Sequence, residues 1–193
     1  MKKIIALLLV IASLFAFASC DEEVEPVDYL APFRAAMDSA PVSARIDSKL
    51  ENEGASLSGE YIINYAEGIA TVNFKNQLLG TFGEESSSSE MVEIPGSATV
   101  DASGAVISGA IGANYAALVA HKVELNPEKM TYSISGNTLV ATISAANGAA
   151  LSAGHATTDV VLNVTVLDGK LMGIAVSYGT TAGKVSIVCD YVY

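Results

Sequence analysis

From Ala55 onward, apolar and polar side chains alternate with a period of two, and glycine-containing turns break the alternation. That period is the mark of strands with one covered face and one wet face. Tyr61–Tyr65 and Ile69–Lys75 flank Ala66-Glu67-Gly68, and Ser97–Val100 and Ala105–Ser108 flank Asp101–Gly104. Met130–Ile134 and Thr138–Ile143 flank Ser135-Gly136-Asn137, and Val160–Leu167 and Lys170–Tyr178 flank Asp168-Gly169. A last turn, Gly179–Gly183, leads into Lys184–Tyr193. Gly, Asn and Asp supply the positive φ that tight hairpins need, so the pattern predicts an antiparallel meander.

Before Ala55 the period is closer to 3.6. Tyr29, Leu30, Phe33, Ala36 and Met37 recur at three- and four-residue steps, Asp28 offers an N-cap, and Pro32 falls in the first turn. Pro41 can open a second helix in which Val42, Ile46 and Leu50 lie four apart, with Gly54 as its stop. The spacing predicts helices over residues 28–39 and 41–52. Tyr115, Leu118, Val119 and Lys122 favour a third over residues 113–125, with strand as the alternative. Residues 145–154 read as a loop or one helical turn, and residues 84–90, with four consecutive serines, as an exposed loop. The expected fold class is α+β: two short N-terminal helices packed on a curved antiparallel sheet, a meander of hairpins forming a half-barrel in a single domain over residues 28–193. A closed barrel is the alternative.

The first two dozen residues follow a different rule. Lys2 and Lys3 precede an apolar run from Ile4 to Phe17, then Ala18, Ser19 and Cys20, then the acidic Asp21, Glu22 and Glu23. A run of 14 residues is too short to cross a hydrocarbon core of about 30 Å. A basic start, a short apolar run and a small-residue cleavage site describe a secretory signal peptide over residues 1–19. A Cys directly after the small residues resembles the lipobox of bacterial lipoproteins. The resemblance implies cleavage before Cys20, acylation of Cys20, and a membrane anchor joined to the domain by an acidic tether over residues 20–27. Its implied address is the cell envelope, outside the cytoplasm.

Composition narrows the partners. The formal net charge is −11, and without Lys2 and Lys3 it becomes −13. Such a chain repels nucleic acid and anionic headgroups, and no Ca²⁺-loop spacing is present. With Cys20 acylated, Cys189 has no partner in the chain, so a disulfide framework is excluded. Cys189 shares an alternating face with Val185, Ile187, Tyr191 and Tyr193 and reads as a small buried hydrophobe.

Catalytic chemistry finds little to use. His121 and His155 are the chain's two histidines. Ser152, His155 and Asp159 lie close in sequence but match no catalytic signature, and no G-x-S-x-G elbow occurs. No H-E-x-x-H or C-x-x-C spacing for zinc and no phosphate loop is present, so no enzyme, metal or cofactor is expected. The sequon Asn163-Val-Thr165 falls on a buried-looking strand of a chain read as bacterial, and it is given no role.

Tyr61, Tyr65, Tyr132, Tyr178, Tyr191 and Tyr193 lie on expected strands. They either fill a core or line a concavity for an apolar ligand. In outline, a helix followed by β-hairpins is similar to lipoprotein carriers of the LolA/LppX type, which enclose apolar ligands in an open half-barrel. No residue motif transfers a binding site. The expected function is a membrane-anchored binding or carrier module for an apolar ligand. The alternative is a surface interaction lipoprotein with a filled core and a protein or glycan partner.

Overall fold

The computed structural model describes residues 27–52, 55–80 and 90–193. The expected signal peptide, Cys20, all of the tether except Val27, Gly54 and most of the serine-rich loop lie outside the described residues. Ten antiparallel strands form one sheet. In chain order they are β1 (Ser43–Asn52), β2 (Ala55–Ala66), β3 (Ile69–Gly80), β4 (Glu90–Asp101), β5 (Val106–Gly109), β6 (Met130–Ser135), β7 (Thr138–Ile143), β8 (Val160–Leu167), β9 (Lys170–Thr180) and β10 (Gly183–Val192). Across the sheet the order is β5-β4-β3-β2-β1-β10-β9-β8-β7-β6. Two five-strand meanders therefore meet where β1 pairs with β10, Ser43 opposite Val192 and Ile46 opposite Cys189. The sheet is not closed: β5 and β6 are its edges.

The expected hairpins form where local chemistry dictates them. Glu67 and Gly68 both have positive φ (53° and 77°), as do Asp168 and Gly169 (51° and 73°). Two consecutive positive values are what a type I′ turn requires, and its twist matches that of the strands.

The expected second helix over residues 41–52 is instead strand β1. Val42, Ile46 and Leu50 are four apart, but they are also all even-numbered. On a strand, Ala44 and Ile46 face inward and are buried, while Arg45, Asp47 and Lys49 face outward and are exposed. Pairing on both sides, with β2 and with β10, satisfies the backbone of β1 and outweighs the helical reading. The first helix, α1, is confined to Ala31–Ala36. Its Asp28 accepts from the Leu30 N–H at 3.0 Å, inside the turn that precedes it. Helix α2 is Ala113–Val119, so the expected third helix ends six residues early. Helix α3, Ala149–Ser152, is one short turn in the region read as a loop or one helical turn.

The three helices and their loops lie on one face of the sheet. Beneath them Ile46, Ile63, Val72, Leu139, Leu162, Ile174 and Ile187 are at most 1% exposed. Fully burying each such side chain stabilises the fold by about 1.5–3 kcal/mol. Leu30 and Phe33 of the α1 region and Leu118 and Val119 of α2 complete this core.

Candidate functional site

Helix α2 decides how much of the inner face is covered. It ends in a Schellman arrangement: the His121 N–H donates to the Leu118 carbonyl (3.1 Å) and the Lys122 N–H to the Ala117 carbonyl (2.9 Å). The left-handed residue that closes this motif is usually glycine, but here it is His121 (φ 55°). That conformation turns the imidazole into the core, edge-on to Tyr191 (centroids 4.7 Å apart) and tilted against Tyr65 (5.4 Å). The Tyr65 hydroxyl donates to the Val119 carbonyl (2.9 Å) and meets His121 Nε2 at 3.2 Å. Burial, reinforced by Lys122, lowers the His121 pKa to about 4, so the ring is neutral near pH 7.

Two hollows flank the α2 region. The first, about 340 Å³, lies among the α1–β1 loop, the β2–β3 turn and the end of α2, with Tyr65 and His121 in its wall. Both rings already have partners there. The second, about 320 Å³, is lined by Tyr61, Phe74, Asn76, Ala110, Ile111 and Gly112. Its floor is aromatic: Tyr61 stacks on Tyr115 with centroids 4.6 Å apart and tilts against Phe74 at 5.2 Å. Gly96 makes this possible, because a Cβ there would overlap the Phe74 ring. One polar cluster sits beside the floor. The Tyr61 hydroxyl donates to Asn76 Oδ1 (3.2 Å), and Ser48 lies next to it, in space left open by the missing side chain of Gly59. Burial raises the Tyr61 pKa well above the usual phenol value, so the hydroxyl keeps its proton and remains a donor.

The second hollow continues into a cross-strand row on the same face. Register aligns Val185 of β10 with Leu50, Leu57, Leu78 and Val92 of β1–β4. In the core, inward-facing residues are covered; in this row Leu57 is 38% and Val92 45% exposed, and neighbouring Ile94 is 53% exposed. The inner face thus has two parts, one filled beneath the helices and one an open apolar trough with an aromatic end. The trough offers apolar contact over five strands with one polar anchor, the usual chemistry of a small-molecule site.

The residues singled out from sequence fall as follows. Ser152 is fully buried and donates to the Gly148 carbonyl (3.2 Å), while His155 and Asp159 are exposed. The three are not assembled as nucleophile, base and orienter. Cys189 is buried, and burial pushes its thiol up to about 12. All six strand tyrosines face inward. Tyr61, Tyr178 and Tyr191 are buried, and Tyr132 at the β6 edge is exposed. No group of three or more His, Cys, Asp or Glu side chains suited to a metal occurs among the described residues. Gly59, Gly96 and Phe74, which shape the trough, carried no sequence signal beyond strand alternation. No protein-family model matches the chain, and no curated protein matches it.

Proposed function

We propose that the chain is a lipid-anchored extracytoplasmic module that binds an apolar ligand in the trough between Tyr61, Phe74 and the Leu50–Leu57–Leu78 row. On this reading residues 1–19 are removed, Cys20 carries the lipid, residues 20–27 are the tether, and the domain over residues 28–193 acts by binding rather than catalysis. The sheet works as an open half-barrel. The observation that carries the proposal is the exposure of Leu57, Val92 and Ile94 on the face that holds the core. Apolar side chains left uncovered in continuity with a core, beside a polar anchor at Asn76, match an amphipathic guest with a short polar group and a longer apolar body.

The test uses full-length protein purified in detergent. Native mass spectrometry is expected to find a co-purifying apolar molecule, and a polarity-sensitive dye is expected to bind after its removal. Absence of both overturns the binding reading. Anchoring is tested separately: Cys20→Ser is expected to leave the membrane fraction and change mobility, and unchanged behaviour overturns lipidation.

A second reading is favoured by the filled core beneath α1 and α2, where inward residues leave no uncovered surface. In it the protein is a surface interaction lipoprotein, and the trough receives an apolar segment of an envelope protein. Capture of one envelope protein, lost on Leu57→Asp, with no small molecule bound, supports that reading over the first.

A further inference from the structure

The two free edges of the sheet differ. At one, the β4–β5 ladder slips between Thr99 and Val100, β5 has only four residues, and the overhang of β4 carries Glu93 and Pro95. Bulges, short strands, charge and proline are the devices that stop an edge from pairing with another chain. At the other edge, β6 shows none of these except modest length. Met130–Ser135 contains no charge and no proline, and it pairs in unbroken register with β7. Among the described residues its outer flank pairs with no other strand, which leaves a row of backbone N–H and C=O groups without a ladder partner. Tyr132 and Ile134, on the face that holds the core, are 39% and 37% exposed.

Charge points the same way. The chain carries a net −11, and the outward positions of β1 include Arg45, Asp47, Lys49 and Glu51. Outward positions over Thr131–Ser135, Thr138–Thr142, Val161–Thr165 and Gly173–Gly179 of β6–β9 are Thr, Ser, Val, Asn, Ala and Gly; the charge of Lys170 lies at the β8–β9 turn. Two copies of an acidic protein repel wherever charged surfaces meet. Beyond the Glu124–Lys129 ion pair at its start, β6 borders outward positions without charge, where that repulsion is weakest.

We propose that β6 is a self-pairing edge: two copies join β6 to β6 antiparallel about a two-fold axis. Tyr132 then lies opposite the partner's Tyr132, Met130 opposite the partner's Ile134, and Thr131 opposite the partner's Ser133. This register keeps the inward residues of both copies on one side, covers Tyr132 and Ile134, and pairs the free backbone groups in an isologous contact. Five residues a side, Met130–Ile134, bury far less than the roughly 1,600 Å² of a standard interface, so the pairing is weak and concentration-dependent. It is independent of what the trough binds.

The experiment is bismaleimide cross-linking of full-length Thr131→Cys. Controls are the unsubstituted chain, which sets the background from Cys20 and Cys189, and Asn73→Cys, an exposed position on β3. Thr131→Cys is expected to give at least fivefold more dimer than either control. Adding Tyr132→Lys, which sets two ammonium groups on the axis, is expected to reduce the dimer at least tenfold with strand content by circular dichroism unchanged. A dimer yield from Thr131→Cys no higher than from Asn73→Cys overturns the proposal, as does a yield unaffected by a folded Tyr132→Lys. Should Tyr132→Lys fail to fold, the comparison of residues 131 and 73 decides alone.

Discussion

The Tyr191 hydroxyl donates to the Leu118 carbonyl at 2.7 Å, tying the last strand to the final turn of α2. The last carbonyls of a helix have no partner within it. Here strand tyrosines supply them, Tyr191 for Leu118 and Tyr65 for Val119. The helix is thereby fixed over the core, while the trough lies at its other end, beside Gly112 where the helix starts. Tyr191→Phe keeps the ring and removes the donor. Since Leu118 still accepts from His121, the expected loss is about 1 kcal/mol, read by chemical denaturation. Tyr65→Phe is expected to cost about 1–2 kcal/mol, because His121 Nε2 loses its contact too. The double variant is expected to lose less than the sum, since both bonds hold one turn.

His121 makes stability depend on pH. Its folded pKa of about 4 lies below the ordinary 6.5, chiefly because burial disfavours the charged ring. Between those values the unfolded chain binds more protons than the folded one, so stability falls as pH drops from about 6.5 to about 4. The loss attributable to this ring is about 2–3 kcal/mol. His121→Phe keeps a ring at the same left-handed position and is expected to flatten that part of the profile. Denaturation midpoints at pH 7, 5.5 and 4.5 check it; equal slopes in both proteins would show that the imidazole is not the titrating group.

How much of this was legible depends on range. Glu67-Gly68 and Asp168-Gly169 announce their hairpins because a two-residue turn is decided by its own φ angles. The β1–β10 seam is not local. Nothing in Ser43–Asn52 names Gly183–Val192 as its neighbour, and without that pairing the four-residue spacing of Ile46 and Leu50 reads as a helix. His121 was visible only as one of two histidines, because a helix end closed in the left-handed region is signalled by glycine. The inward face of Tyr61 and Leu57 could be read from alternation; that of Leu50 could not, because its spacing placed it in the expected helix. Which part of that face stays uncovered depends on where α2 lies, and α2 is held by Tyr65 and Tyr191 from distant strands.

Gly96 is a test of the aromatic floor. The Phe74 ring lies over it in the space a side chain would fill. Gly96→Ala must drive the ring off β4 and crowd it against Tyr61 on the opposite neighbouring strand, with an expected cost of about 1–3 kcal/mol. The consequence for function is larger than that for folding: the ring forms one wall of the 320 Å³ hollow, so dye affinity is expected to fall at least tenfold in protein that still unfolds cooperatively. Titration of a polarity-sensitive dye, run beside thermal unfolding, separates the two effects. Unchanged affinity would place the ligand elsewhere.

Leu57 separates binding from stability most sharply. It sits mid-row between Leu50 and Leu78 and is already 38% exposed, so folding gains little from it. Leu57→Asp puts a carboxylate where solvent still reaches it, and the expected change in unfolding free energy is within about 1 kcal/mol. A ligand lying along the row would instead have to bury that charge, which costs several kcal/mol when no partner is offered. Apolar-ligand affinity is therefore expected to drop a hundredfold or more. Ile63→Asp, buried in the filled part of the same face, is expected to abolish folding outright. Equal destabilisation by the two substitutions, measured by urea denaturation, would mean that the trough is core like the rest of the face and has no room for a guest.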